Sequence, residues 1–334
     1  MAGNSYNRRD FIHTLLGGLA AGTTLISCQR DSAGGLPTRP LGKTGERVSI
    51  LCLGGWDVAA AESEEESIRL MHEALDNGLF FWDNCWEYHN GRAEEIMGRA
   101  MAQSSVRDKV FLMTKVCNRT YEGARQYLED SLRRLQTDRI DLWQFHAIQW
   151  EKDAETILDY ENGAIRAALE AKKEGKVRYI GFTGHKHPSY HLAMLGQDFE
   201  WDAVQLPTNI LDPHYVSFQK EVIPVCNSRD IGVLGMKSLA AQRGRIPAET
   251  GVEPSLCRRY ALSLPISSLV IGIQNRVELQ SDLALARDFK PLTETEISDL
   301  LDLSESYALD GAIEVYKSTN WGRCGWLQTN APLG

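Results

Sequence analysis

The chain has 334 residues, 43% of them hydrophobic, so it is long enough to bury a sizeable core. Its formal net charge of −9 argues against a general nucleic-acid binder, because such proteins present a basic face. None of its seven cysteines belongs to a CxxC pair, which excludes the usual zinc-knuckle and iron–sulfur spacings and any recognisable disulfide framework.

The N-terminal segment has the pattern of an export signal. Arg8 and Arg9 precede an apolar stretch at residues 15–26 that is shorter than the ~20 residues of a membrane span. This pattern predicts a signal peptide over residues 1–27 that uses the twin-arginine (Tat) route. The motif Leu25-Ile26-Ser27-Cys28 resembles a lipobox and predicts lipidation of Cys28. A frayed helix with a chance arginine pair is the alternative.

Residues 28–40 are polar, contain Gly and Pro, and predict a tether. We therefore expect an exported, membrane-anchored lipoprotein on the periplasmic side, which meets the twin-arginine translocase during export. That translocase moves folded proteins, which suits an enzyme that takes up its cofactor before export. The rest of the chain is expected to form a barrel over residues 41–310 and a C-terminal tail over residues 311–334.

Eight short apolar runs alternate with longer amphipathic stretches from residue 48 onward. The apolar runs are 48–53, 79–82, 110–114, 140–145, 178–182, 203–206, 231–234 and 269–271. The amphipathic stretches are 64–77, 93–103, 125–135, 163–174, 188–195, 216–227, 254–262 and 277–287, with a ninth at 294–307 after a Thr293 N-cap. This alternation predicts an α/β fold, a single-domain (β/α)8 TIM barrel. A doubly wound sheet is the alternative, but it would need a GxGxxG turn after its first strand, and the sequence has none there.

Polar residues suited to acid–base chemistry end three consecutive apolar runs. Asp83 follows the second run, Lys115 the third and His146 the fourth, and Tyr88 lies five residues after Asp83. Active sites of barrels form at the C-terminal ends of the strands, so these four side chains are expected to converge at one mouth.

The four residues resemble the catalytic tetrad of the aldo-keto reductases, in which Tyr follows the strand-ending Asp by five residues. Leu41-Gly42-Lys43-Thr44-Gly45 and the segment 175–181 also resemble the family's opening hairpin and the approach to its fifth strand. The resemblance covers residues 37–310. It implies an oxidoreductase that transfers a hydride between NAD(P)H and a carbonyl or alcohol substrate.

The resemblance implies a separate role for each tetrad residue in the chemistry at the substrate oxygen. A free phenol has a pKa near 10, and a nearby Lys115 ammonium is expected to lower the pKa of Tyr88. Asp83 would hold Lys115, and His146 would orient the carbonyl oxygen. Acid–base catalysis of this kind contributes typically ~10²–10⁴-fold. A buried Lys115–Asp83 ion pair beside a loop tyrosine is the alternative.

The resemblance also implies a cofactor site. Thr183 stands where the family has a carboxamide-binding Ser, and Met236 falls where an aromatic ring often stacks on the nicotinamide. The implied cofactor-binding residues are Gly55, Thr183, Gln205, Met236, Lys237, Ser238, Gly272, Gln274, Glu278 and Asp282.

Glu278 stands where many relatives have an Arg that holds a 2′-phosphate, which predicts a preference for NAD(H). A carboxylate there would repel a phosphate and accept hydrogen bonds from ribose hydroxyls. An alignment shifted by one turn would bring Arg276 to this place and reverse the preference. Asp282 matches the family's Asn that meets the adenine.

Other candidate residues receive structural interpretations. His185, His187 and His191 are typical of loop histidines, and no metal is expected. Cys85 and Cys117 are expected to pack as small apolar residues.

The loops after the first and second runs carry Trp56 and Trp86. They predict an aromatic wall for a sugar or polyol substrate, with hydrophobic loop anchors as the alternative. Trp321 and Trp326 of the tail could close over the mouth.

Two other functions stay open. One is a catalytically weak cofactor-binding or regulatory barrel, against which the complete tetrad argues. The other is a barrel hydrolase, which should carry paired carboxylates or metal ligands at its strand ends.

Overall fold

The computed structural model describes residues 35–103, 105–240 and 244–318. Its centre is a closed barrel of eight parallel strands, in which each strand pairs with the next in sequence and the last pairs with the first. This confirms the (β/α)8 prediction. The barrel strands are β3 (Leu51–Gly54), β4 (Phe81–Asp83), β5 (Phe111–Val116), β6 (Ile140–Phe145), β7 (Val177–Thr183), β8 (Ala203–Pro207), β9 (Gly232–Met236) and β10 (Ser268–Ile271).

A hairpin of β1 (Thr38–Pro40) and β2 (Arg47–Ser49) precedes the barrel. Arg39 in β1 is buried and donates to the carbonyls of Leu262 at 2.8 Å and Ile266 at 2.9 Å. The predicted tether boundary at residue 40 is therefore wrong, because residues 38–40 belong to the fold. The predicted signal peptide and Cys28 lie outside the described residues.

The first apolar run, 48–53, divides between two sheets. Its start pairs with β1 in the hairpin, whereas Leu51 pairs with Leu269 and closes the barrel. Every residue of β3, β4, β5 and β6 is buried. Burial on both faces explains why these strands are continuously apolar rather than alternating.

The helices surround the barrel, and their apolar faces form the main core with the strands. They are α1 (Gly55–Val58), α2 (Glu64–Asp76), α3 (Arg92–Met101), α4 (Tyr121–Arg134), α5 (Asp153–Ile157), α6 (Ala164–Lys173), α7 (Pro188–Leu195), α8 (Phe218–Glu221), α9 (Ile223–Ser228), α10 (Arg245–Thr250), α11 (Pro254–Ser263), α12 (Arg276–Arg287), α13 (Glu294–Ser304) and α14 (Val315–Ser318). The described residues also include 3₁₀ turns at Tyr88–Gly91, Arg107–Lys109, Asp212–His214 and Glu305–Tyr307.

Local sequence sets several helix boundaries. Thr120 accepts from the backbone N–H of Gly123 and starts α4 four residues before the predicted 125. Thr293 and Glu296 form a capping box at the start of α13. The predicted helix at 216–227 is two short helices, and Pro224 lies in the first turn of the second, where its missing N–H costs nothing.

The first part of the C-terminal tail packs onto the barrel through a buried charge cluster. Lys317 Nζ lies 2.7 Å from Asp212 Oδ1 and 2.9 Å from Glu314 Oε2, and it donates to the Tyr215 carbonyl at 2.8 Å. Asp212 belongs to the loop after β8, so the tail lies at the C-terminal end of the strands. Trp321 and Trp326 lie outside the described residues.

In the part of the chain that the structure describes, no helix has the length and apolarity that a membrane crossing needs.

Candidate active site

The predicted tetrad comes together at the C-terminal ends of β4, β5 and β6. Lys115 Nζ donates to Asp83 Oδ1 and, at 2.8 Å, to the backbone carbonyl of Asn84. It also lies 3.3 Å from the Tyr88 hydroxyl and 4.8 Å from the centre of its ring. The Tyr88 and His146 rings meet edge to face at 6.0 Å. The four residues therefore form one continuous group.

The protonation of Tyr88 differs from the sequence-based expectation. Burial, followed by the negative charges of Asp83 and Cys85, raises the pKa of Tyr88 well above its usual value. The expectation that Lys115 would lower this pKa is wrong, although the contact with Lys115 exists. Tyr88 is accordingly a protonated phenol at neutral pH, which is the form that donates a proton.

The backbone after Tyr88 is held in an uncommon conformation. His89 and Asn90 have φ values of +51° and +57°, in the left-handed region that β-carbons disfavour. His89 Nε2 lies 2.7 Å from the Trp56 carbonyl, and the two rings stack at 4.3 Å. Loop contacts with Trp56 thus hold the turn that carries Tyr88.

Trp56 and Trp86 have different environments. Trp56 is 50% exposed, and its ring meets Tyr88 edge to face at 5.4 Å. Trp86 stacks on Tyr127 of α4 at 3.6 Å and packs 4.9 Å from the Arg134 guanidinium. Trp56 can contact a substrate at the mouth. The structure instead makes Trp86 a hydrophobic loop anchor, so its predicted substrate contact is not supported.

His146 faces a cluster of polarisable and charged groups through Nδ1. This nitrogen lies 3.3 Å from each of Cys85 Sγ, Cys117 Sγ and Glu87 Oε1. Burial opposes the charged forms of Cys85 and His146, but their mutual attraction and nearby groups outweigh it. The pKa of Cys85 falls to about 6 and the pKa of His146 rises to about 10. Cys85 and Cys117 are buried, but they are not merely apolar packing residues.

The residues implied for the nicotinamide end of a cofactor lie side by side. Thr183 at the end of β7 is the register partner of Gln205 within β8, and Met236 ends β9. Gln144 Nε2 donates to Gln205 Oε1 at 3.0 Å, which leaves the Gln205 amide N–H groups as donors. These buried polar groups beside the tetrad fit a nicotinamide carboxamide. The next residue, Lys237, has φ of +59°, and burial lowers the pKa of its ammonium.

Gly55 and Ser238 flank the same mouth. A β-carbon at Gly55 would lie 2.5 Å from the Asp83 carbonyl oxygen and 2.9 Å from the Asn84 side chain. This close approach requires glycine at the start of α1. Ser238 is buried, and its loop continues into residues 241–243, which lie outside the described part of the chain.

The start of α12 is lined by carboxylates. A β-carbon on Gly272 would collide with the Asp57 carboxylate, which also accepts from Gln274 Nε2 at 3.3 Å. Glu278 Oε2 accepts from the Gln274 backbone N–H at 2.8 Å, and Asn275 caps the helix at the Glu278 N–H. Side-chain oxygens therefore accept from the backbone N–H groups of Gln274 and Glu278 at this helix start.

Asp282 is turned inward on α12. It is 1% exposed and lies 2.5 Å from the Arg258 guanidinium of α11. Burial raises the pKa of Asp282 to about 7, against the attraction of Arg258. Its predicted adenine contact stays a prediction and would require this pair to face the cofactor.

Sequence reasoning missed a buried carboxyl behind the tetrad. Glu94 of α3 accepts from Thr114 Oγ1 at 2.7 Å and lies 3.4 Å from Arg134. Burial raises the pKa of Glu94 to about 7. The signal that could have found this residue is its helical spacing, because Glu94 lies three and seven residues before the buried Met97 and Met101.

In the described part of the chain, His185, His187 and His191 do not form a metal-ligand group together. His187 caps α7, since its Nδ1 accepts from the Ser189 N–H at 3.1 Å. His191 lies 3.3 Å from the Gln205 carbonyl, and burial lowers its pKa to about 4. Among the described residues, the group with metal-ligand spacing is Cys85, Glu87, Cys117 and His146.

Residues 50–250 match the Aldo/keto reductase family, and the chain belongs to that family. It is similar to "Uncharacterized oxidoreductase YrpG" of Bacillus subtilis (strain 168), with 33% identity over 60% of this chain and 65% of that protein. It is also similar to L-galactose dehydrogenase of Arabidopsis thaliana, with 26% identity over 60% of this chain and 65% of the relative. The matches thus span just under two thirds of these relatives.

The fold is similar to that of aldo-keto reductase AKR11C1 from Bacillus halodurans in its holo form. The TM-score is 0.66 at 22% identity, covering 80% of this chain and 96% of the other. At that identity, the likeness bears on the fold alone.

Proposed function

We propose that the protein transfers a hydride between a nicotinamide cofactor and a carbonyl or alcohol substrate. The observation that carries this proposal is the contact chain from buried Asp83 through buried Lys115 to the part-exposed Tyr88 at the C-terminal mouth of the barrel. The nicotinamide, when bound, supplies or accepts the hydride. The chain's own residues manage the proton on the substrate oxygen.

In the reductive direction, Tyr88 donates its phenolic proton to the substrate oxygen. The raised pKa keeps this proton on the phenol until a substrate arrives. Lys115, at 3.3 Å, then stabilises the phenolate, and Asp83 keeps the ammonium in place. Since His146 turns Nδ1 toward Cys85 and Glu87, Nε2 is the nitrogen that can orient the substrate oxygen.

We further propose a sugar or other polyol-like substrate. Trp56 presents an exposed ring that meets the Tyr88 ring edge to face at 5.4 Å, and the faces of sugars stack on aromatic rings. The name of the Arabidopsis relative is consistent with a sugar substrate.

The carboxylates at the start of α12 support a preference for NAD(H). Glu278 and Asp57 both accept hydrogen bonds from Gln274, so a 2′-phosphate would meet negative charge there. Ribose hydroxyls are donors and would suit these acceptors.

A direct test combines cofactor binding with turnover. Tryptophan fluorescence would be titrated with NADH and with NADPH, and carbonyl reduction would be followed with a panel of aldoses and simple aldehydes. Tyr88→Phe should bind cofactor as the wild type does but lose at least ~100-fold in kcat. The matched control is Tyr160→Phe, because that hydroxyl is on an exposed ring and bonds to the Asp198 carbonyl. Binding without any turnover difference between wild type and Tyr88→Phe would instead favour a regulatory barrel.

We also propose that the protein is exported and anchored by a lipid on Cys28. The support is the arginine pair at residues 8 and 9 and the lipobox-like motif that ends at Cys28. Metabolic labelling with a palmitate analogue should mark the wild type and not Cys28→Ser. Replacement of both Arg8 and Arg9 by Lys should leave the precursor in the cytoplasm, and unchanged fractionation of both variants would refute the proposal.

A further inference from the structure

We propose that Cys85, Glu87, Cys117 and the Nδ1 atom of His146 bind a zinc ion beside the catalytic tetrad. The ligand atoms all lie within 4.8 Å of one another. Metal binding is separate from the proposed hydride transfer, and it is measurable without cofactor or substrate.

The spacing of the atoms fits tetrahedral coordination. Zinc binds sulfur at about 2.3 Å and nitrogen or oxygen at about 2.0–2.2 Å, so tetrahedral ligand atoms lie about 3.3–3.8 Å apart. His146 Nδ1 lies 3.3 Å from Cys85 Sγ, from Cys117 Sγ and from Glu87 Oε1. The other ligand atoms lie within 4.8 Å of one another, so zinc could enter with side-chain shifts of about 1 Å or less.

Hydrogen bonding alone does not account for the convergence on one nitrogen. An imidazole nitrogen either donates one hydrogen bond or accepts one, so it cannot serve three close partners at once. A metal ion placed among the four atoms would satisfy all of them simultaneously.

The fold brings the ligands together from three neighbouring strand ends. Cys85 and Glu87 follow β4, Cys117 follows β5 and His146 follows β6. Cys85, Cys117 and His146 are 0%, 1% and 9% exposed, and the Glu87 side chain is 22% exposed. The ligands are thus buried by elements of the rigid barrel, with the carboxylate on the open side.

A buried arginine holds two of the ligand-bearing loops together. Arg119 Nη1 donates to the carbonyls of Cys117 at 3.0 Å and His146 at 2.8 Å. Its Nε is fixed by Asp153 at 3.0 Å. Such outer contacts orient the backbone that presents metal ligands, which supports a preformed site.

The donor set selects the metal. Two thiolates and an imidazole favour zinc over magnesium or calcium, which prefer oxygen donors. Four protein ligands complete the tetrahedral coordination sphere, as in structural zinc sites. Metal on Nδ1 would fix the His146 tautomer with its proton on Nε2, the nitrogen that the proposed function turns to the substrate.

The first experiment uses the purified wild-type protein without cofactor. Inductively coupled plasma mass spectrometry should find about one zinc ion per chain after growth with zinc. Cobalt added to the zinc-depleted protein should give a thiolate-to-cobalt charge-transfer band and the visible bands of a tetrahedral ion. A protein that holds no zinc and gives no such cobalt spectrum overturns the proposal.

Variants locate the metal. Cys85→Ser and Cys117→Ser should each lose at least tenfold in zinc affinity and lose the charge-transfer intensity. Cys226→Ser is the matched control, because Cys226 is equally buried but lies on α9 away from the cluster. Equal zinc content in all three variants would overturn the site.

Peptide mapping of the untreated wild type tests whether Cys85 and Cys117 form a disulfide. A Cys85–Cys117 disulfide that persists under zinc loading would show that the two cysteines form a disulfide pair and not a metal site, and it would overturn the proposal. Failure of cofactor binding in the same preparation would affect only the proposed oxidoreductase activity, since the zinc measurements do not use cofactor.

Discussion

The Tyr88 hydroxyl lies 3.3 Å from Lys115 Nζ, and the same ammonium is paired with Asp83 below the barrel mouth. The phenol therefore faces one positive charge, and a negative charge lies just behind it. Burial and the surrounding anions raise the pKa of Tyr88 and keep it protonated at neutral pH. Tyr88 therefore holds a proton that it can transfer to the substrate oxygen. The Lys115 ammonium then lies next to the phenolate that this transfer forms.

The Asp83–Lys115 pair should matter for both stability and catalysis. Asp83→Asn leaves a buried ammonium without its counterion, and we expect a loss of about 3–5 kcal/mol in the free energy of unfolding. Urea denaturation measures this loss, and kcat should fall at the same time. The double variant Asp83→Leu/Lys115→Met should regain stability, because both buried charges are gone, but not activity. Full activity in the double variant would contradict the assigned role of Lys115.

Alanine variants of Trp56 and Trp86 should distinguish a residue that contacts substrate from one that anchors a loop. Trp56→Ala removes an exposed ring at the mouth, and KM for a sugar substrate should rise about tenfold, equivalent to about 1.4 kcal/mol. Trp86→Ala removes the stack on Tyr127 and should cost about 2–4 kcal/mol of stability. Steady-state kinetics and urea denaturation of both variants test this division. A larger KM effect from Trp86→Ala than from Trp56→Ala would reverse it.

Glu278 should set the cofactor preference. Glu278→Arg replaces a carboxylate by a guanidinium at the start of α12, and the ratio of the NADPH Kd to the NADH Kd should fall by at least about tenfold, or about 1.4 kcal/mol. Fluorescence titration of both cofactors gives this ratio. Ala284→Arg adds the same charge to an exposed position of the helix and should change the ratio little. A wild-type ratio already in favour of NADPH would refute the assigned role of Glu278.

The sequence predicts most of the fold and the centre of the site for a clear physical reason. Short strands buried on both faces leave continuous apolar runs, and the polar residue that ends each run marks the mouth of the barrel. Asp83, Lys115 and His146 follow directly from this rule. The resemblance to a family then added Tyr88 and its spacing.

The parts that the sequence did not predict depend on packing between distant segments. The cluster of Cys85 and Cys117 on His146 joins three loops whose side-chain directions no spacing fixes. Asp57 accepts a hydrogen bond from Gln274 at the start of α12, although the two residues are more than 200 positions apart in the sequence. Arg39 lies in a segment whose Gly and Pro content is typical of a tether, yet its two carbonyl partners bury it.

Glu94 gives a prediction about pH. Its pKa is raised to about 7 by burial, from an ordinary value of 4.5. The folded protein therefore binds more protons than the unfolded chain between these two pH values, so this residue makes the free energy of unfolding fall as pH rises from about 4.5 to 7.

Glu94→Gln keeps an acceptor for the Thr114 hydroxyl but cannot ionise. Relative to the wild type, its free energy of unfolding should rise by about 2–3 kcal/mol between pH 5 and pH 8, because the raised pKa of Glu94 already includes the opposing effect of Arg134. Urea denaturation across this pH range measures the difference. Glu95→Gln leaves Glu94 in place and should retain the wild-type slope. Parallel pH profiles for Glu94→Gln and the wild type would show that Glu94 ionises normally, which would require water to reach a side chain that the structure fully buries.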